Sequence, residues 1–141
     1  LMENPYAFQL DPQLGKDTVP IADWHLCEVR LMNDSRYPWV ILVPKVPDIA
    51  EIHELAEEQQ HLLLGESVRL SKALDQLFDP HKLNVAALGN MVRQLHIHHI
   101  VRFEGDASFP KPVWGEGDAV PYDSDALHET VNGLRLALDL L

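Results

Sequence analysis

Residues 94 to 102 read QLHIHHIVR, which sets three histidines within four positions of an aliphatic run. Imidazole can serve as nucleophile, proton carrier or metal ligand near neutral pH. On a β-strand, side chains alternate between faces, so Gln94, His96 and His98 would share one face while Leu95, Ile97, His99 and Val101 share the other. Two residues at i and i+2 stand about 6.5 to 7 Å apart along a strand, close enough for both to touch one phosphate-sized group. His99, on the apolar side, reads as a packed histidine rather than a third member. A metal reading is also open, because neutral imidazoles bind zinc. Against it, the single cysteine, Cys27, is remote in sequence and the strand holds no Asp or Glu, so the expectation is no metal and no required cofactor. His25, His53, His61, His81 and His128 fall in no motif and are read as structural.

The rest of the chain must position that strand. Its 141 residues suffice for one domain with a real core, 1–141, and leave little for a second. Hydrophobic residues make up 46% and charged residues 23%, the balance of a globular chain rather than a disordered one. A formal net charge of -11 opposes binding to a nucleic-acid polymer or to an anionic membrane, both of which need a basic surface. A small anionic ligand stays open, since a pocket can be locally positive on an acidic protein. One cysteine excludes an internal disulfide, no run of about 18 apolar residues is present, and LMENPYAFQL lacks the charged and apolar regions of a signal peptide. These features together predict a soluble cytoplasmic protein.

Residues 24 to 32, WHLCEVRLM, alternate so that Cys27, Val29 and Leu31 share a face, and Tyr37 to Val43 is a second β-rich run. NDSR between them supplies Asn33 and Asp34 for a turn, which predicts an antiparallel hairpin with Pro38 at a strand start or edge. From Asp48 to Leu77 the apolar spacing changes to nearly 3.6, predicting a long helix with Asp48 as N-cap and a stop before Asp79-Pro80. Leu83 to Leu88 and Val92 to Val101 read as two more strands joined through Gly89-Asn90, a turn pair. Leu127, Val131, Leu134, Leu138 and Leu141 predict a C-terminal helix from Asp123 or Ser124. The sum is an α+β fold with an antiparallel sheet and helices on one side. The connection from Arg102 to Asp123, rich in Gly, Pro and Asp, is long enough to predict a functional or partner-covering loop.

The segment LNVAALGNMVRQLHIHHIVR resembles the signature of the histidine triad (HIT) family, His-φ-His-φ-His-φ-φ with φ apolar, preceded by a glycine, a polar residue and an Asn-containing strand. His96 takes the middle position and His98 the last, while Gln94 stands where the first histidine belongs. Upstream, WVILVPK is similar to the family's strand ending in Pro-Lys, so the resemblance spans about residues 20 to 103, with a C-terminal loop and helix over 104–141. It implies a five-stranded antiparallel sheet with a long central helix and a C-terminal helix, and a homodimer. It also implies action on a small nucleotide such as a nucleoside phosphoramidate or dinucleoside polyphosphate. In that chemistry the middle histidine attacks the α-phosphorus and a covalent nucleotidyl-histidine is then hydrolysed or transferred. His96 would be the nucleophile, and His98 would stabilise non-bridging oxygens or donate a proton to the leaving group.

Supporting positions follow from the same resemblance. Asn84 lies near the family's phosphate-contacting Asn, one residue out of register. Gly89 matches a glycine that lets backbone approach phosphate, and Asn90 falls where many members carry a Gln on the α-phosphate. Both residues also fit a plain tight turn. Arg36 and Tyr37 in the hairpin turn could reach the nucleotide, or simply be solvated, as could Arg102. Two departures stand out: Met91 fills a place often polar, and Gln94 can donate and accept hydrogen bonds but cannot carry a proton near pH 7. Galactose-1-phosphate uridylyltransferases, a related branch, keep a catalytic His with a Gln in the motif, though after the nucleophile. RFEGDASFPKPVWG, residues 102 to 115, resembles bacterial HIT-like proteins with the same Gln. The alternative to an enzyme is a nucleotide-binding regulatory protein with little or no turnover.

Overall fold

A computed structural model describes residues 7–139, so the predicted helical contribution of Leu141 lies outside the described residues. Five strands, β1 (Thr18–Asp23), β2 (Cys27–Met32), β3 (Trp39–Pro44), β4 (Lys82–Ala86) and β5 (Ile97–Arg102), form one sheet in the order β1-β2-β3-β5-β4, with every neighbour antiparallel. Among the described residues three α-helices accompany it: α1 (Pro12–Asp17), α2 (Glu57–Phe78) and α3 (Ser124–Asp139). The α+β reading, the β2–β3 hairpin with Pro38 just before its second strand, and the C-terminal helix all hold.

Both long helices cover one face. Leu63, Leu70, Ala73 and Leu74 of α2 and Val131, Leu134 and Leu138 of α3 pack on Val29, Leu31, Val40, Leu42, Ile97 and Val101 of the sheet. Each such aliphatic side chain, once fully buried, contributes roughly 1.5–3 kcal/mol. The other face carries Trp39, Ile41, Val43 and Ile100, covered by Leu14 of α1 and by Val113 from the long loop after β5.

Four differences from the sequence reading appear. First, α2 starts at Glu57 rather than after Asp48. Asp48 adopts a left-handed φ of 56°, and Ile52–Glu54 makes a separate 3₁₀ turn whose Glu54 carboxylate accepts from the N–H groups of Ala50 and Glu51. Ala56 is the N-cap, with Gln59 accepting from its N–H. The acidic residues that looked like one first turn belong to two local structures. At the other end Asp79, at φ 46°, stops the helix before Pro80.

Second, β1 and α1 carry no periodic signal. β1 is an edge strand whose register shifts between Pro20 and Ala22, a place where the missing proline N–H costs no ladder bond. α1 has six residues, too few for a 3.6 repeat to show, and is started by Asp11 accepting from the N–H of Gln13, with Pro12 at its first position.

Third, β5 begins at Ile97, not Val92, and β4 ends at Ala86. Fourth, Gly89-Asn90 is therefore not a two-residue hairpin turn but part of a loop over residues 87–96. That loop carries Gln94 and His96, whose positions are set by loop hydrogen bonds and not by strand alternation.

Candidate active site

His96 sits at the last position of the 87–96 loop, immediately before β5, and is 5% exposed. Its Nδ1 lies 2.7 Å from the backbone carbonyl of Gln94. A carbonyl can only accept, so Nδ1 is the protonated nitrogen and, in the neutral ring, Nε2 carries the lone pair. Among the described residues no hydrogen bond reaches Nε2. Gly89 presses against this ring: a Cβ there would lie 2.6 Å from the Val92 carbonyl oxygen and 3.2 Å from His96 Cε1. Only glycine lets the loop backbone come so close.

His98 lies on β5 with its ring centroid 4.8 Å from that of His96, in an edge-on arrangement, and 5.0 Å from that of Trp114. Both of its nitrogens are used. The Trp39 indole N–H donates to Nδ1 at 3.0 Å, and Nε2–H donates to the Leu88 carbonyl at 2.7 Å. Burial pushes its pKa down to about 4, reinforced by His96 and His99 and opposed by the Leu88 carbonyl. His98 is thus a neutral imidazole of fixed tautomer. Both nitrogens are engaged by the protein, so contact with a phosphoryl oxygen or a leaving group would require one of these bonds to open. What it does is tie Leu88, and with it the loop that carries Gly89 and His96, to the sheet.

His99 points to the opposite face, as alternation predicts. It is fully buried, donates from Nδ1 to Ile97 O at 3.1 Å and accepts at Nε2 from Ser67 on α2 at 2.7 Å. Burial holds it at about 4 as well. It is a satisfied core histidine.

Gln94 contributes its backbone carbonyl to His96, while its carboxamide is engaged by the chain before α1. Oε1 accepts from Asp11 N–H at 2.8 Å and Nε2 donates to Gln9 O at 2.9 Å. Asn84 is on the same sheet face as His98 but its Oδ1 accepts from Arg102 at 2.9 Å. Arg102, itself buried, also grips Asp106 through two oxygens, along with Ser108 and the Lys111 carbonyl. Burial alone would raise the Asp106 carboxyl; the Arg102 guanidinium and the N–H groups of Ser108, Phe109 and Phe103 hold it well below the usual range. Asn84 and Arg102 therefore belong to a structural network. Arg36 is held by Asp34 at 2.8 and 3.0 Å and by the Glu116 carbonyl.

Three depressions meet around this geometry. An apolar one of about 250 Å³ has His96, His98, Gly89 and Asn90 on one side and Leu14, Asp17, Met32, Trp39 and Trp114 on the other. Through Asp17, Met32, Trp39 and Trp114 it joins a larger pocket of about 480 Å³ that reaches Lys16, Asn33, Asp34 and Arg36. On the other side of His96 lies a polar depression of about 390 Å³ bordered by Glu51, Asn90, Arg93 and Gln94. The fold thus brings His96, His98, Gly89 and Asn90 together, sets Arg36 in an adjoining pocket, and keeps Asn84 out. Trp39 and the α1 residues Leu14 and Asp17 were not singled out from sequence. The β3–β5 register that pairs Ile41 with His98 and sets Trp39 beside it is a long-range choice with no local signal. Among the described residues no three His, Cys, Asp or Glu side chains gather as a metal-binding group, and no helix is long and apolar enough to cross a membrane.

The model of the HIT domain family matches residues 14–105. The chain is similar to a histidine triad protein from Marinobacter aquaeolei VT8, with 50% identity over 96% of this chain and 98% of that one, and a TM-score of 0.92. Histidine triad proteins from Bradyrhizobium japonicum and Sinorhizobium meliloti 1021 are each 42% identical. They cover 94% and 92% of this chain and 98% and 96% of their own, with TM-scores of 0.91 and 0.90. No curated protein matches the chain.

Proposed function

The chain belongs to the HIT domain family, and on that premise we propose that it is a nucleotide hydrolase or nucleotidyltransferase whose nucleophile is His96. The observation that carries this reading is the Nδ1 contact to the Gln94 carbonyl, which leaves the Nε2 lone pair directed away from the protein's own hydrogen bonds. In the first step Nε2 forms a bond to the α-phosphorus and the bond to the leaving group breaks, the leaving group taking the proton it needs from solvent. In the second, water or an acceptor attacks phosphorus and gives its proton to solvent while the N–P bond breaks, restoring the imidazole. As the positive charge grows on the ring, the Gln94 carbonyl opposite Nδ1–H stabilises it.

Binding follows the lining. A base has apolar and aromatic surface at Leu14, Met32, Trp39 and Trp114, and Arg36 and Lys16 stand at the far end of the joined pockets. The α-phosphate falls beside Gly89 and Asn90, where glycine lets the loop backbone close on the His96 ring and the Asn90 amide can donate. The polar depression with Arg93 and Glu51 takes the leaving group. No cofactor is needed for these steps, and the expected assembly is a homodimer in the cytoplasm.

A second reading, a nucleotide-binding regulatory protein, is favoured by one observation: neither Gln94 nor His98 offers a proton to the leaving group. The two are separated by following AMP release from adenosine 5′-phosphoramidate and from diadenosine polyphosphates, with His96→Ala as control. Turnover by the native protein that vanishes in the variant supports the enzyme. AMP binding without turnover in either protein supports the regulatory reading, and neither binding nor turnover refutes both.

A further inference from the structure

We propose that Gln94 is a positioning residue that clasps the N-terminal arm and thereby builds one wall of the cleft at His96; the consequence for ligands rests on the nucleotide reading above. The arm, residues 7 to 11, runs into α1, and its backbone at Gln9 and Asp11 meets the Gln94 carboxamide at 2.9 and 2.8 Å. Donor and acceptor face one extended segment, so the side chain pairs with the arm as another peptide group would in a β-ladder. These contacts join residues 83 and 85 positions apart.

The arm is seated by packing as well, since Phe8 and Leu10 lie against the sheet face that holds Trp39 and Ile100. Asp11 is the shared point: its N–H is held by Gln94, and its carboxylate caps α1 by accepting from Gln13 N–H. α1 then delivers Leu14 and Asp17 to the cleft, opposite His96. Meanwhile the backbone carbonyl of the same Gln94 holds His96 Nδ1. One residue therefore fixes both the ring and the wall facing it, the first through its main chain and the second through its side chain.

A histidine at position 94 could not make this clasp. The two nitrogens of imidazole point away from each other across the ring, whereas the oxygen and nitrogen of a carboxamide point to the same side. Gln→Glu keeps the shape and the acceptor for Asp11 N–H, but sets a carboxylate against the Gln9 carbonyl. The departure from three histidines is on this account a trade of a proton-carrying group for a built wall.

The test compares Q94H and Q94E with the native protein by amide hydrogen exchange and by AMP titration. In Q94H the Asp11 amide and the first turn of α1 should exchange about tenfold faster, while Q94E, which keeps an acceptor for Asp11 N–H and loses only the Gln9 contact, should show a smaller rise. AMP should bind about fivefold more weakly or worse. With adenosine 5′-phosphoramidate, KM should rise while kcat stays within about twofold, because the backbone carbonyl that orients His96 is unchanged. Unaltered exchange at Asp11 to Gly15 in Q94H overturns the proposal. So does a Q94H protein with raised kcat and unchanged KM, which would make position 94 a member of the chemical machinery. Exchange needs no ligand, so a native protein that binds no AMP refutes the nucleotide reading while the clasp is still decided by the arm's amides.

Discussion

Acidification from pH 7 to pH 5 should weaken the fold through two named side chains. His98 and His99 are 3% and 0% exposed, and burial pushes both from 6.5 to about 4. The folded pKa lies below the unfolded one, so between about 6.5 and about 4 the unfolded chain binds more protons than the folded one. The stabilisation is complete above about pH 6.5 and is lost as pH falls toward about 4. The gap is worth about 3 kcal/mol per histidine at full effect, and about 2 kcal/mol of it is gone by pH 5. Two histidines then remove about 4 kcal/mol, a large part of the 5–15 kcal/mol (roughly) that a domain of this kind possesses. Asp34 and Asp106, whose carboxyls are held low by Arg36 and Arg102, act chiefly below about pH 4 and leave this window clear. The assay is urea unfolding at pH 7 and pH 5 for the native protein, His99→Gln and His98→Gln. Glutamine can accept from Ser67 at position 99 or donate to Leu88 O at position 98, and it does not titrate. Each variant should show about half the native pH dependence. If native protein and variants lose the same stability within about 0.5 kcal/mol, less than one salt-dependent surface pair contributes, the buried-neutral account is wrong.

Three further outcomes follow from the same geometry. Gly89→Ala places a methyl 2.6 Å from a backbone oxygen and 3.2 Å from the His96 ring; it should cost about 1–3 kcal/mol in urea unfolding and lower AMP affinity and any turnover by about tenfold or more. Trp39→Phe removes the only donor seen on His98 Nδ1 among the described residues. It should cost about 1–3 kcal/mol and shift the His98 ¹⁵Nδ1 resonance in an imidazole-detected NMR spectrum. Asp106→Ala strands a guanidinium that is 1% exposed; unfolding should be easier by about 3–5 kcal/mol, whereas Lys111→Ala, an exposed partner of Glu116, should change stability by less than about 1 kcal/mol.

Much of the site was legible because its signals are local. The i, i+2 spacing of His96 and His98 and the alternation that sends His99 to the helix face are properties of a few adjacent residues, as is the stop at Asp79-Pro80. Signals that mixed two local structures misled. The acidic run from Glu51 to Glu58 looked like one helix start, yet Glu54 closes a 3₁₀ turn and Gln59 serves the true cap at Ala56. The apolar run from Val92 looked like strand, yet residues 92 to 96 lie in the loop before β5, where the Val92 carbonyl closes on Gly89.

The sequence by itself determined the α+β class, the hairpin, the two long helices and the identity of the histidine-bearing strand. It did so because apolar periodicity and turn chemistry act between near neighbours. The tertiary structure alone decided what the polar atoms do. Trp39 fixes the tautomer of His98 from 59 positions away, Gln94 spends its carboxamide on Gln9 and Asp11, and Asn84 is taken by Arg102. Hydrogen bonds require partners within about 3 Å and in line, and which atoms meet at that range is set by strand register and loop path. No residue carries that information alone.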